Sequence, residues 1–328
     1  MKRTYILVIK ESNWDFKELL GVPLLYYHFL RARKLNSSLF LISDSKRHID
    51  YLKALQLADS INGKCYITFS NCFDDEIEFN IDSNLALEKI KNKEIKESGF
   101  TIRSNRDFYE LTNKIRNCIN LKWIDNNVEI ENIQTTYIGP EVTIGKETKI
   151  TGDTHILGQS VIGENNIINS CHLDNVSIGN ENELFNSHLV GSTMGNKNKI
   201  GPYCRMRGKT NISNECVIGN FVEIKSSNIK DHVKIKHLSY IGDTFIEKNV
   251  NIGCGFATAN YDGKNKYSTT IKENAFIGCD TTIVSPVTIN KDSYIAAGSV
   301  ITNDVETGDL AIARSRQINK SNYTKQKK

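Results

Sequence analysis

At 328 residues the chain is long enough for two domains, and its net charge of +4, from 42 basic and 38 acidic residues, gives no nucleic-acid footprint. No run approaches the ~18 apolar residues of a membrane span, and the start at Met1-Lys2-Arg3 leads into too short an apolar stretch for a signal peptide. The eight scattered cysteines, without a CxxC pair or a cluster with His, read as reduced cytoplasmic thiols, neither a disulfide frame nor a metal site.

Residues 1–102 read as a small α/β domain. Tyr5 to Ile9 and Leu39 to Ile42 are apolar runs of strand length, while Leu24 to Leu35 and Arg47 to Leu57 read as helices. Residues 103–120 are expected to form a connecting helix. There Phe108, Leu111, Ile115 and Ile119 recur at the three-and-four spacing of one helical face.

A different period governs residues 121–303. Aliphatic residues fall at nearly every sixth position: Ile138, Ile144, Ile150, Ile156, Ile162 and Ile168, then Ile200, Met206, Ile212, Ile218 and Ile224, and last Ile271, Ile277, Ile283, Ile289, Ile295 and Ile301. A helix would repeat its apolar face at three and four, and a strand at two. Six is the period of a hexapeptide parallel β-helix, in which short strands and tight turns wrap a triangular prism. The inward aliphatic fills the core, and the Gly or Asn that often follows it turns the corner. Roughly nine coils of about 4.8 Å predict a prism about 40–45 Å long.

The register lapses between Ile252-Gly253 and Ile271. Insertions in solenoids map to loops on one face, often the binding face. Residues 304–328 are expected to leave the prism through Leu310-Ala311-Ile312-Ala313-Arg314 and to end in a basic tail, Arg316 to Lys328, disordered at its tip.

Several blocks carry a resemblance. They are Gly201-Pro202-Tyr203-Cys204-Arg205-Met206-Arg207, Gly219-Asn220-Phe221-Val222-Glu223-Ile224-Lys225, His237-Leu238-Ser239-Tyr240-Ile241-Gly242-Asp243 and Asn249-Val250-Asn251-Ile252-Gly253. Downstream follow Asn260-Tyr261-Asp262-Gly263-Lys264-Asn265-Lys266, Ile295-Ala296-Ala297-Gly298-Ser299 and Ala311-Ile312-Ala313-Arg314. In order and spacing they resemble the acetyltransferase half of the bacterial bifunctional glucosamine-1-phosphate N-acetyltransferase/N-acetylglucosamine-1-phosphate uridylyltransferase family. The resemblance implies a left-handed parallel β-helix and a homotrimer with active sites between subunits. It further implies acetyl-CoA as cosubstrate and a role in UDP-N-acetylglucosamine and cell-wall biosynthesis. Handedness comes from the resemblance alone, since it departs from the usual right-handed crossover.

The first hundred residues depart from that family. Its other half opens with a strand and a Gly-rich loop that cradles nucleotide phosphates. Here the first strand is followed by Lys10-Glu11-Ser12-Asn13-Trp14-Asp15-Phe16, with no glycine before Gly21. Without glycine the backbone N–H groups of a phosphate cradle are not available. Gly21-Val22-Pro23-Leu24-Leu25-Tyr26-Tyr27 does resemble the family's next block. The segment reads as a shortened, degenerate nucleotidyltransferase-like domain without uridylyl transfer, with an unrelated α/β module as the alternative.

N-acetylation of an amino sugar needs a base for the amine, a dipole for the oxyanion and cations for the sugar phosphate. His is the residue type that titrates near neutrality, and the resemblance makes His237 the base, with Glu223 beside it as a residue that orients or polarises the imidazole. Taken alone, a His on a solenoid is a surface or turn residue. Arg207, Lys225 and Lys266 are the implied clamp for sugar and phosphate, Arg as a fork and Lys as point charges. Tyr240 and Asn251 match sugar-contacting positions, although an inward Asn ladder is a structural rival for Asn251. For acetyl-CoA the resemblance points to Cys254, Asn260, Tyr261, Cys279, Ala297 and Arg314. Cys254 stands where Ala is common and Cys279 where Ser is common, so a hydroxyl hydrogen bond becomes a weaker thiol one at 279. No acyl-enzyme and no metal are expected.

The reading is a monofunctional acetyltransferase that converts glucosamine 1-phosphate to N-acetylglucosamine 1-phosphate by direct transfer. One alternative keeps acetyl-CoA and changes the acceptor to another, or a nucleotide-linked, amino sugar of surface polysaccharide. The other is a non-catalytic trimeric scaffold or regulatory paralogue.

Overall fold

The computed structural model describes residues 4–8, 18–20, 22–23, 38–42 and 104–323. The chain divides into two compact units, residues 1–118 and 119–328. In the first, strands Thr4–Val8 and Ser38–Ile42 pair in parallel, and Glu18–Leu19 pairs antiparallel with Val22–Pro23. The helices expected at Leu24 to Leu35 and Arg47 to Leu57 lie outside the described residues, as does Lys10 to Phe16.

A helix, Asn105–Ile124, crosses from the first unit into the second. Ser104 caps its start, its Oγ accepting from the amide of Asp107 at 3.2 Å. The helix runs one turn past residue 120, which puts Trp123 into the core of the second unit. Asn127, at φ 60°, then stops it, and the amide of Val128 reaches back to the Trp123 carbonyl at 3.0 Å. That is the left-handed C-terminal closure for which Asn is the usual substitute for Gly.

The second unit is a left-handed parallel β-helix of hexapeptide repeats. The six-residue register is borne out: its aliphatic positions from Ile138 to Ile301 all point inward, none more than 7% exposed. One face is a nine-stranded parallel sheet running from Thr143–Ile144 to Val287–Ile289, and the other two faces join as a nineteen-stranded sheet. At one inner corner the core is polar. Asn166, Asn182 and Asn198 are fully buried and bond side chain to side chain at 3.0 Å, and Asn198 passes on to the amide of Cys216. Each amide there satisfies backbone groups that the turns leave unpaired.

Two details differ from the period-based reading. The lapse after Ile252 is shorter than expected, because Ala257–Ala259 continues the coil in register with Thr282–Val284. Phe256 and Thr258 fill its inward positions, and the Thr258 hydroxyl accepts from the amide of Gly242 at 2.8 Å. Only a hairpin leaves the prism, closed by the antiparallel bridge of Tyr261 with Lys266. The prism also continues past 303. Val305 is buried and bridges Ile289, and Leu310–Ala311 pairs with Tyr294–Ile295. Val and Ala fill those inward positions without the Ile-Gly signature, so periodicity alone stops short of them.

Candidate active site

Two adjacent coils pass from one face to the next without a break, as the nine-residue strands Val217–Lys225 and Lys234–Gly242. At their shared corner Asn220 stands in register with His237. The coils are tightly stacked here: a Cβ on Gly219 would lie 1.8 Å from the carbonyl oxygen of Lys236. Only glycine permits that approach. His237 is exposed, and its Nδ1 lies 3.0 Å from the Oδ1 of Asn220. A carboxamide oxygen can only accept, so Nδ1 donates to it, and in the neutral imidazole this tautomer leaves the lone pair on Nε2.

Glu223, expected to orient the imidazole, is occupied elsewhere. Its Oε1 accepts from Nε and Nη2 of Arg207, at 3.0 and 2.7 Å. Glu223 lies past the corner, in register with Arg205 and Tyr240, where Arg207 from the neighbouring coil reaches it. The orienting contact belongs to Asn220 instead.

Around Arg207 the next face gathers the other cations. Lys225, its side chain 16% exposed, lies 3.6 Å from Asp243, which also accepts from the Asn260 side chain at 2.6 Å. Lys266 arrives from the hairpin beside Lys225. Two lysines this close do not hold their protons equally: the pair favours the proton on Lys225, which Asp243 also draws above the ordinary lysine value against partial burial. The pairing, and then the charge of Lys225, hold Lys266 below it. Tyr240 folds over the backbone here: a Cβ on Gly242 would stand 2.7 Å from both the Tyr240 hydroxyl and the Asn260 amide nitrogen. Three basic side chains against two carboxylates leave a basic patch suited to a phosphate monoester.

The structure thus brings Arg207, Glu223, Lys225, Tyr240, Asn260 and Lys266 together on one face. His237 joins them across the corner in sequence register, and among the described residues no hydrogen bond or ion pair links it to the clamp. Asn251 lies on the other side of that corner, half-buried and facing outward between Lys234 and Phe276. It is therefore outside the buried Asn ladder that competed for it. Strand register stacks Asn220, His237, Cys254, Cys279 and Ala297 along one corner of the prism. Arg314 ends the track, its Cδ 3.8 Å from where a Cβ on Gly298 would lie. Tyr261 stands apart, 60% exposed, with its hydroxyl donating to the Gly263 carbonyl.

Asn220 and Asp243 were missed by motif reading. Both precede a site residue by one coil of 17 residues, Asn220 before His237 and Asp243 before Asn260. The coil length was therefore the usable signal. Among the described residues no group of His, Cys, Asp and Glu could hold a metal ion, and no helix is long and apolar enough to cross a membrane.

The C-terminal coils, residues 268–303, match the family of the bacterial transferase hexapeptide (six repeats). With the fold, this defines the class of structure as a hexapeptide-repeat β-helix. Within that class the chain is similar to the Bifunctional protein GlmU of Staphylococcus haemolyticus, 44% identical over 208 residues, covering 63% of this chain and 46% of that protein. The GlmU of Clostridium beijerinckii is 42% identical over 233 residues, covering 70% and 51%. That of a Geobacillus species is 46% identical over 203 residues, covering 62% and 44%. The chain spans about half the length of the curated relatives it matches. Among solved structures, LpxA from Acinetobacter baumannii is 19% identical with a TM-score of 0.40, covering 56% of this chain and 71% of that one.

Proposed function

We propose that this chain is an acetyl-CoA-dependent N-acetyltransferase whose acceptor is glucosamine 1-phosphate, without uridylyl transfer. The observation that carries the reading is the Asn220–His237 pair at a corner flanked by the clamp of Arg207, Lys225 and Lys266. His237, with its lone pair on Nε2, takes a proton from the amino group, and the clamp holds the phosphate at the other end of the sugar. Tyr240 and Asn251 flank the sugar. Glu223 and Asp243 keep the cations in place rather than touching the imidazole.

The corner track fits a slender arm, since the small side chains of Cys254, Cys279 and Ala297 follow His237 in register, with Arg314 at its far end for a phosphate. Acetyl-CoA supplies an activated thioester there; the transfer is direct, with Asn260 and Tyr261 beside the track. We place this activity in the cytoplasm, in a homotrimer with sites between subunits, in amino-sugar supply for the cell wall. Residues 1–102 form a separate degenerate domain in this reading, followed by the linking helix at 103–120, the catalytic prism at 121–303 and the terminal segment at 304–328.

The test is a panel of amino sugars and amino-sugar phosphates assayed with acetyl-CoA by thiol release. Glucosamine 1-phosphate should be preferred, and His237→Ala should abolish turnover. Turnover of the variant at the wild-type rate would remove the base assignment, and UTP-dependent pyrophosphate release would overturn the negative claim on uridylyl transfer. A nucleotide-linked amino sugar is the second reading. Arg205 favours it, being exposed, beside the clamp in register with Glu223, and without an ion-pair partner among the described residues, where a second phosphate would reach.

A further inference from the structure

We infer that Cys254 and Cys279 are a paired thiol site that closes reversibly to a disulfide across adjacent coils of the corner track. The register places them opposite each other, since Ile252 pairs with Ile277 and Ala257 with Thr282 on either side. The Asp280 amide donates to the Cys254 carbonyl at 2.7 Å, so the two coils are locked together at this point. Parallel strands lie about 4.8 Å apart, within the Cα window of about 4.4–6.8 Å for a disulfide. From that spacing the Cβ atoms must close by about 1 Å to reach the usual ~3.8 Å of a disulfide. Gly253 lets the two coils approach closely at this point, since a Cβ there would lie 2.6 Å from the Cys279 amide nitrogen.

Among the described residues access separates this pair from three buried thiols, and register separates it from the exposed Cys118 on the helix. Cys254 is half-buried and Cys279 exposed, while Cys171, Cys204 and Cys216 are buried. Burial pushes the Cys171 and Cys216 thiols up to about 11, and raises that of Cys204 further. Those three are shielded from thiol exchange. The chemistry balances with a low-molecular-weight disulfide as oxidant. The Cys279 thiolate attacks it, forming a mixed disulfide and releasing one small thiol. Cys254, losing its proton, then displaces the second small thiol and closes the protein bond. Two electrons and two protons pass from the protein to the oxidant.

A bond here lies across the track assigned to the acyl donor, next to His237. That consequence rests on the proposed function; the bond itself does not. A cytoplasmic setting makes such a bond transient, formed under oxidative conditions and reversed by thiols.

The test uses the full chain, reduced, desalted and titrated with oxidised glutathione, then read by intact mass and non-reducing peptide mapping. The expected result is loss of two hydrogens with Cys254 joined to Cys279, reversed by dithiothreitol. Cys254→Ala should instead retain one glutathione on Cys279. A wild-type chain that keeps glutathione on Cys279 without closing, or that joins other cysteines in preference, would overturn the inference. Because mapping needs no activity, a reduced chain that transfers no acetyl group counts against the proposed reaction alone.

Discussion

A free imidazole divides its proton between two nitrogens, so a histidine that acts as a base must be told which one to leave bare. In this chain that instruction comes from Asn220, whose Oδ1 faces Nδ1 of His237 at 3.0 Å. Removing it should lower kcat with little change in KM. Asn220→Ala is expected to cost about tenfold to a hundredfold in kcat, a fraction of the ~10²–10⁴ that a positioned base supplies. Asn220→Asp, which keeps an accepting oxygen, should recover most of the loss, and the pH profile of kcat should move in the Ala variant. An unchanged kcat in Asn220→Ala would end the positioning role. The sequence made His237 visible through its block, whereas Asn220 looked like an ordinary Gly-Asn turn. Glu223 lies beyond the same corner, which turns it onto the next face, toward Arg207.

At the scale of elements, the clamp depends on a hairpin that has little core of its own. Asp262 organises it, accepting from the amides of Asn265 and Lys264 at 2.7 Å each and from the Tyr267 hydroxyl at 2.9 Å. The Asn265 and Lys264 amides, and then Tyr267, hold its carboxyl below the ordinary aspartate range. The sign follows: a depressed carboxylate supports the hairpin fully above the unfolded pKa and loses that support as pH falls through the folded one. Amide exchange at Lys264 and Asn265 should therefore stay slow at neutral pH and accelerate only below the usual aspartate range. Asp262→Ala should accelerate it at every pH and raise KM for the sugar phosphate several-fold through loss of Lys266 placement. Slow exchange in that variant would show the hairpin to be held by something else. Two glycines give a paired test of coil packing. Gly219→Ala drives a methyl into the Lys236 carbonyl, which as backbone cannot yield, and should cost on the order of 1–3 kcal/mol in denaturant unfolding, with activity lost as the His237 corner opens. Gly242→Ala meets only the tips of Tyr240 and Asn260, so stability should change less while KM for the acceptor rises. Equal stabilities for the two variants would contradict that distinction. The hairpin's place was legible as a break in period, but its short extent was not, because Phe256 and Thr258 hold inward positions where the repeat favours Ile.

Across the whole molecule, the prism was legible because an inward residue every sixth position has one solution, and the polar inner corner and the last coil were not because Asn, Val and Ala serve there without that pattern. In such a solenoid each coil is stabilised only by its neighbours, so a local cost is felt along the stack. The early coils carry one such cost on their surface. The rings of Tyr137, His155, His172 and His188 follow one another in strand register, with centroids 4.4, 5.8 and 4.5 Å apart, the first two pairs stacked and the last edge-on. Burial, then the neighbouring His188 and His155, hold His172 below the ordinary histidine value, and Asp174 opposes them. With its folded pKa depressed, His172 binds fewer protons in the native state than in the unfolded one. Its contribution to stability is therefore complete above about pH 6.5 and is lost as pH falls through the lowered folded value. Asp231 and Asp262 are also depressed, and their contributions fade only in the more acidic carboxylate range. A window between about pH 7 and pH 5 thus isolates the imidazole stack. His172→Phe keeps a ring in the stack and removes the charge. Urea midpoints measured at the two pH values should fall further for the wild-type chain than for this variant. The same fall in both would assign the acid sensitivity to groups outside the stack.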